Sequence, residues 1–227
     1  MNEQMMRGGN TLGLVRVGDT VRRPAHESSP YVQEVLLHLE KAGFAGAPRF
    51  LGVDEHGREI LTYCPGEVVD DPVKLSDARL ASAARLIRAF HDATAGSPVA
   101  DGGEVVCHGD LGPHNTVFSG EDAAGLIDWD DELRPGSRLS DLAHAVWCFA
   151  AVAEPVFDIP EQARRTALFC SAYGWDAPEP VLDELAARFR HARDTDQGPA
   201  RLVFADLAAW MDTHGPTLKN ALKATGS

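Results

Sequence analysis

No stretch of this 227-residue chain is apolar for long enough to cross a bilayer, so no membrane-spanning helix is expected. The opening residues 1–7 lack an apolar signal region, which predicts retention in the cytoplasm. Cysteine is scarce. Cys64, Cys107, Cys148 and Cys170 form no CxxC pair and no zinc spacing, which leaves them packing roles in a reducing compartment. Basic charge is scarce too. The chain has 21 Lys and Arg against 34 Asp and Glu, and a net charge of −13 argues against nucleic acid as a partner. No internal repeat or low-complexity tract is visible. A glycine-rich GxGxxG phosphate loop is also missing; Gly8-Gly9 is the only substitute, and two glycines are a weak signal.

What remains is an ordinary globular composition, 44% hydrophobic, of a size for one or two domains. The acidic excess is uneven. Residues 1–66 carry seven basic and eight acidic side chains, residues 67–227 fourteen and twenty-six. An acidic C-terminal part would draw a cationic partner, while an acidic surface equally favours a soluble monomer. Oligomeric state has no signal in the sequence.

Hydrophobic periodicity divides the chain. Residues 12–17 read as a strand, Gly18-Asp19 as a hairpin turn, and Thr20-Val21-Arg22-Arg23 as a second strand stopped by Pro24. Ser28-Ser29-Pro30 predicts a helix start with a capping serine; Val32, Val35, Leu36 and Leu39 follow at helical spacing, and Gly43 ends the run. Residues 47–53 and 59–63 read as two more strands. From about Leu75 the chain is mainly helical: one helix carries Leu80, Ala83, Ala84, Ile87 and Phe90, and four more are expected over 138–152, 161–173, 181–193 and 198–212. The expectation is an α+β, two-lobed protein, with a small strand-rich lobe over residues 1–66 and a helical lobe over 67–227. A cleft between lobes is where a ligand pocket is expected.

The chemistry concentrates in Cys107-His108-Gly109-Asp110-Leu111-Gly112-Pro113-His114-Asn115 and Leu126-Ile127-Asp128-Trp129-Asp130. Residues 115–118 and 123–127 read as strands joined by a turn at Ser119-Gly120-Glu121-Asp122. Such a hairpin brings Asn115 beside Asp128, with Asp110 on the preceding loop. A carboxylate and an amide oxygen suit Mg²⁺, and phosphoryl transfer needs a metal, an orienting group at the acceptor hydroxyl and charge stabilisation. Turn preference explains Asp or Asn one residue at a time, but not the ordered set.

HGDLGPHN followed by LIDWD resembles the aminoglycoside phosphotransferase and choline kinase-like family, a branch of the protein-kinase-like fold. The resemblance implies a catalytic base at Asp110, Mg²⁺ ligands at Asn115 and Asp128, and ATP as phosphoryl donor. It implies that His108 shapes the loop and that Ser140-Asp141-Leu142-Ala143 starts the helix supporting it. Thr62-Tyr63-Cys64-Pro65-Gly66 resembles the hinge that receives adenine through backbone groups. The acceptor implied is a small molecule bearing a hydroxyl, cationic amines among them. Gly109 stands where protein kinases place arginine, which points away from a protein substrate. His114 has no assigned role, and Asp130 and Asp131 are open between metal, acceptor and turn capping.

Two departures stand out. The strand lysine that contacts ATP phosphates is replaced by arginine. Alternation sets Val21 and Arg23 on one face, so Arg23 is the phosphate contact unless both Arg22 and Arg23 lie on a solvated edge strand. The helix glutamate that should pair with this cation is also missing: Val32 occupies its place, and Glu27 and Glu34 are poorly spaced substitutes. The two departures leave open a different class of protein, a binding-only relative of the trifolitoxin-immunity type that sequesters a small molecule or a peptide toxin.

Overall fold

A computed structural model describes residues 3–6, 13–69 and 71–225. Gly8-Gly9 lies outside them, as does Leu12, the first residue of the expected opening strand. The small lobe is a five-stranded antiparallel sheet of β1 (Gln4–Met5), β2 (Val15–Val17), β3 (Thr20–Pro24), β4 (Phe50–Val53) and β5 (Arg58–Thr62). Its order is β1-β2-β3-β5-β4, so β3 is an inner strand rather than an edge. Val17 and Thr20 pair across the turn at Gly18, whose φ of 62° is one glycine adopts freely.

Helix α1 (Ser29–Lys41) packs on this sheet through Val32, Val35, Leu36 and Leu39. Ser28 occupies the cap position but makes no side-chain capping bond. Its hydroxyl turns instead to Asp131, which also accepts from His26 Nδ1 at 2.8 Å, tying the helix start to the segment after the second motif.

The large lobe opens with strand β6 (Glu67–Val68) and helix α2 (Asp77–Thr94), the latter capped by Ser76. Three short strands follow: β7 (Val105–Cys107), β8 (Thr116–Ser119) and β9 (Asp122–Leu126). β8 and β9 form the expected hairpin, β6 extends it, and β7 pairs with β10 (Arg134–Gly136). Helices α3 (Arg138–Ala150), α4 (Ile159–Tyr173), α5 (Pro178–Thr195) and α6 (Ala200–Thr225) complete the fold. α6 runs past residue 212, where it was expected to end, with Pro216 inside it. Buried Leu218 and Leu222 anchor the extra turns against the body and outweigh the local preference to stop.

One apolar core spans both lobes. Phe44, just after α1, meets Phe90 of α2 with ring centroids 6.1 Å apart, and Phe90 meets Trp129 edge-on at 5.1 Å. Leu126 N–H donates to Gly46 O at 2.8 Å, stitching the hairpin to the small lobe. No helix among the described residues is long and apolar enough to cross a membrane.

Candidate active site

Strand β7 is fully buried and delivers the loop from behind. Gly109 turns it with φ 85°; a Cβ there would stand 2.4 Å from Glu132 O, so no other residue fits without rearrangement. Asp110 then emerges partly exposed. The short helical turn Pro113–Asn115 folds the chain back. Asn115, 5% exposed, donates through Nδ2 to Asp110 O at 3.0 Å and to Asp110 Oδ2 at 2.9 Å. Oδ1 of Asp110 faces two imidazoles, His114 Nε2 at 3.4 Å and His144 Nε2 at 3.3 Å. These contacts, His114 foremost, hold the Asp110 carboxyl well below the usual carboxylate range. Asp110 is thus an anion at any physiological pH.

Ile127 N–H donates to Asn115 O at 2.9 Å, which closes the hairpin and sets Asp128 immediately beyond it. Asp128 adopts a left-handed backbone with φ 64°, a conformation that Asp tolerates better than most residues. Burial, then the charges of Asp130 and Asp110, push its pKa up. No hydrogen bond engages its carboxylate among the described residues. His108 donates from Nε2 to Ile127 O at 3.0 Å and packs on Trp129 at 4.9 Å, and burial pushes its pKa down, so it is a neutral structural imidazole. Asp130 accepts from Glu132 N at 3.1 Å and caps the turn; Asp131 is the tether to His26 and Ser28.

Arg23 is 5% exposed, which removes the solvated-edge alternative. Its Nε donates to Glu59 Oε2 at 2.7 Å, its Nη1 to the Trp129 carbonyl, and its Nη2 is buried with no partner among the described residues. Arg22 points to the other face, near Asp54. Glu27 and Glu34 are exposed and do not replace the missing helix glutamate. In the hinge segment, Thr62 N–H donates to Arg49 O and Tyr63 N–H to Asp19 O, so both amides are engaged. Arg16 lies over the Tyr63 ring at 3.7 Å, and Cys64 is half-buried with its thiol pKa raised by burial. Among the described residues no group of three His, Cys, Asp or Glu is arranged to hold a metal.

Residues 95–184 match the phosphotransferase enzyme family model. Over 198 residues the chain is 32% identical to the trifolitoxin immunity protein of Rhizobium leguminosarum bv. trifolii, spanning 77% of this chain and 75% of that one. The chain belongs to the phosphotransferase enzyme family. Its fold resembles a choline/ethanolamine kinase family protein of Mesorhizobium loti (TM-score 0.56, 18% identity, 99% of this chain and 92% of that one). It also resembles the ethanolamine kinase of Plasmodium vivax (TM-score 0.64, 10% identity, 97% and 84%). A third likeness is to a spectinomycin phosphotransferase in complex with ADP and spectinomycin (TM-score 0.54, 11% identity, 90% and 88%). The fold is therefore the two-lobed, protein-kinase-like one.

In this phosphotransferase-family chain the loop is held by a residue whose bonds the sequence reading did not supply. Asp141, 1% exposed at the start of α3, accepts from the backbone N–H of His108 at 2.9 Å and of Gly109 at 3.0 Å, and from His91 Nε2 at 3.0 Å. Burial alone would raise its pKa; the His91 bond and the two amides outweigh that and bring it to about 2. His144 was likewise missed. A signal existed: 141, 144 and 148 recur at helical spacing, which puts Asp141, His144 and Cys148 on one face of α3.

Beside His114 lies a cavity of about 360 Å³ lined by Pro113, Trp147, Cys148 and Glu154 among others. Its far wall is fixed from within. Buried Gln162 bonds Ala153 N, Glu154 O and Phe157 O, and buried Arg165 bonds the carbonyls of Pro72 and Phe149.

Proposed function

We propose that this protein is an ATP- and Mg²⁺-dependent phosphotransferase that acts on a hydroxyl of a small acceptor. The observation that carries the reading is the joined placement of Asp110, Asn115 and Asp128 around one hairpin. The donor set fits a hard cation. The amide nitrogen of Asn115 is committed to Asp110, which leaves its Oδ1 as the group to meet a cation, and the Asp128 carboxylate, raised in pKa by burial and by Asp130, has no hydrogen-bond donor among the described residues. When bound, Mg·ATP supplies the phosphoryl group and the cationic charge that offsets it.

The chain's own residues divide the remaining work. Asp110 orients the acceptor hydroxyl and takes up its proton; its low pKa makes it chiefly an orienting group. Arg23 steadies the phosphates with the Nη2 group that has no partner among the described residues. The Thr62–Cys64 segment receives adenine, with Cys64 the position whose backbone is not already engaged in the sheet. The cavity beside His114 takes the acceptor. Glu154 and the Trp147 ring on its wall favour a cationic one. Residues 1–66 form the nucleotide lobe and 67–227 the acceptor lobe, and the expected compartment is the cytoplasm.

A second reading has its own support. Arg23 is already bound by Glu59 and Trp129, and Asp110 by two histidines, so both groups can serve as internal clamps in a binding-only protein. The relative named for trifolitoxin immunity fits that class. Titration calorimetry with ATP, with and without Mg²⁺, separates the two. The first reading expects Mg²⁺-dependent binding and, in a screen of amino alcohols and aminoglycosides, ADP release with one of them. An absence of nucleotide binding leaves the second.

A further inference from the structure

The Arg23 guanidinium is paired within the sheet. Arg23 on β3 and Glu59 on β5 are direct cross-strand partners in the ladder, and the side chains meet at 2.7 Å. Glu59 is fully buried. Its second oxygen, Oε1, accepts from Gln33 Nε2 of α1 at 2.8 Å. The helix therefore touches the pair through a neutral amide, and the carboxylate belongs to the strand.

Resting on the phosphotransferase reading, we propose that Glu59 is the positioning residue of the nucleotide site. It holds Arg23 so that Nη2 faces the phosphates while Nη1 holds the Trp129 carbonyl next to Asp128. Three observations support this. A guanidinium with a carboxylate on Nε and a carbonyl on Nη1 has one orientation left for Nη2. A buried carboxylate with both oxygens engaged cannot swing away without leaving an unpaired charge. Register partners on adjacent inner strands move together, so this pair does not depend on where the helix sits. The pair itself is assembled whenever the sheet is, and the direct contact of α1 with it is the Gln33 amide.

The test compares the wild type with Glu59→Gln, Glu59→Asp, Gln33→Ala and the exchange Gln33→Glu/Glu59→Gln. For each, the Kd of Mg·ATP and the melting temperature without nucleotide are measured. Glu59→Gln should weaken Mg·ATP by about tenfold or more, the effect of losing one charge-assisted contact. Gln33→Ala should stay within about twofold of the wild type, because it removes only the neutral bond. The exchange, which returns a carboxylate from the helix side, should recover most of the lost affinity. A merely structural Glu59 would lower the melting temperature and leave the Kd unchanged; that result overturns the proposal. Should Glu59→Gln fail to fold, Glu59→Asp decides, since a carboxylate drawn back by one methylene should still weaken the nucleotide several-fold, and wild-type affinity in it refutes the assignment. A wild type that binds no nucleotide removes the phosphotransferase reading and this inference with it.

Discussion

Asn115 spends both of its amide hydrogens on Asp110, one on the carbonyl at 3.0 Å and one on the carboxylate at 2.9 Å. A proposed metal ligand and a proposed base are therefore one hydrogen-bonded unit. Whatever draws the Asn115 oxygen outward also fixes the direction of the Asp110 carboxylate.

Replacement of Asp110 by Asn follows from that unit. Three donors converge on this side chain: the Asn115 amide and two imidazoles. An amide in its place offers one acceptor and sets its own NH₂ against one of them. With a confirmed acceptor, kcat should fall by about 10²–10⁴-fold, in the range for loss of a general base, while the Kd of Mg·ATP stays near wild type. Unchanged turnover would show that Asp110 is not the base.

Asp128→Asn should separate stability from metal response. Burial and its carboxylate neighbours raise the Asp128 pKa, so the ionised form weakens the folded state above that pKa. Asn removes the charge and still tolerates the left-handed backbone. The melting temperature without nucleotide should equal or exceed that of the wild type, and the Mg²⁺-dependent rise with ATP should vanish. A persistent Mg²⁺ response would place the metal elsewhere.

Acid should loosen the loop through Asp141. Its pKa is about 2 in the folded chain, against about 3.9 for a free aspartate. A depressed carboxylate contributes stability that is present above the unfolded value and lost as pH falls from about 4 through about 2; the shift corresponds to about 2–3 kcal/mol. Urea unfolding at pH 7, 4 and 2.5 should show this loss in the wild type. Asp141→Asn should be less stable at pH 7 and lose less between pH 4 and 2.5. Parallel curves for the two proteins would contradict the assignment.

The four thiols should be slow at neutral pH. Burial pushes Cys107, Cys148 and Cys170 up to about 12 and raises Cys64. Thiolate is the reacting form. Colorimetric titration with a disulfide reagent at pH 7.5 should find little rapid reaction in the native protein and four thiols in denaturant. Rapid native labelling of Cys148, on the cavity wall, would show that the pocket opens further than the structure does.

Legibility followed distance along the chain. Asp110 and Asn115 lie five residues apart, and Asn115 and Asp128 flank one hairpin, so their proximity could be read from turns and alternation. The Arg23–Glu59 pair depends on the register of strands on either side of α1, and no local pattern reveals it. Val32 stood where a glutamate was sought because it is a core residue, 0% exposed. The loop's support by Asp141 was half legible: the motif marked the helix start, but bonds to His108 and Gly109 are tertiary. Ser28 takes the cap position expected of a serine here, but without the capping bond, because Asp131, over a hundred residues later, competes for its hydroxyl.

The stitching of the small lobe to the hairpin has a consequence for synthesis on the ribosome. When residues 1–66 have emerged, Phe44 has no Phe90, the Gly46 carbonyl has no Leu126 amide, and Arg23 has no Trp129 carbonyl. The last of these partners, Trp129, follows 67 residues after Thr62 completes the sheet, about 3–13 s later at ordinary elongation rates. During that interval the sheet carries a buried-type guanidinium and an uncovered apolar face. The nascent small lobe should accordingly be sensitive to protease until the second motif is out, and a stalled chain ending near residue 70 is the species a chaperone would hold.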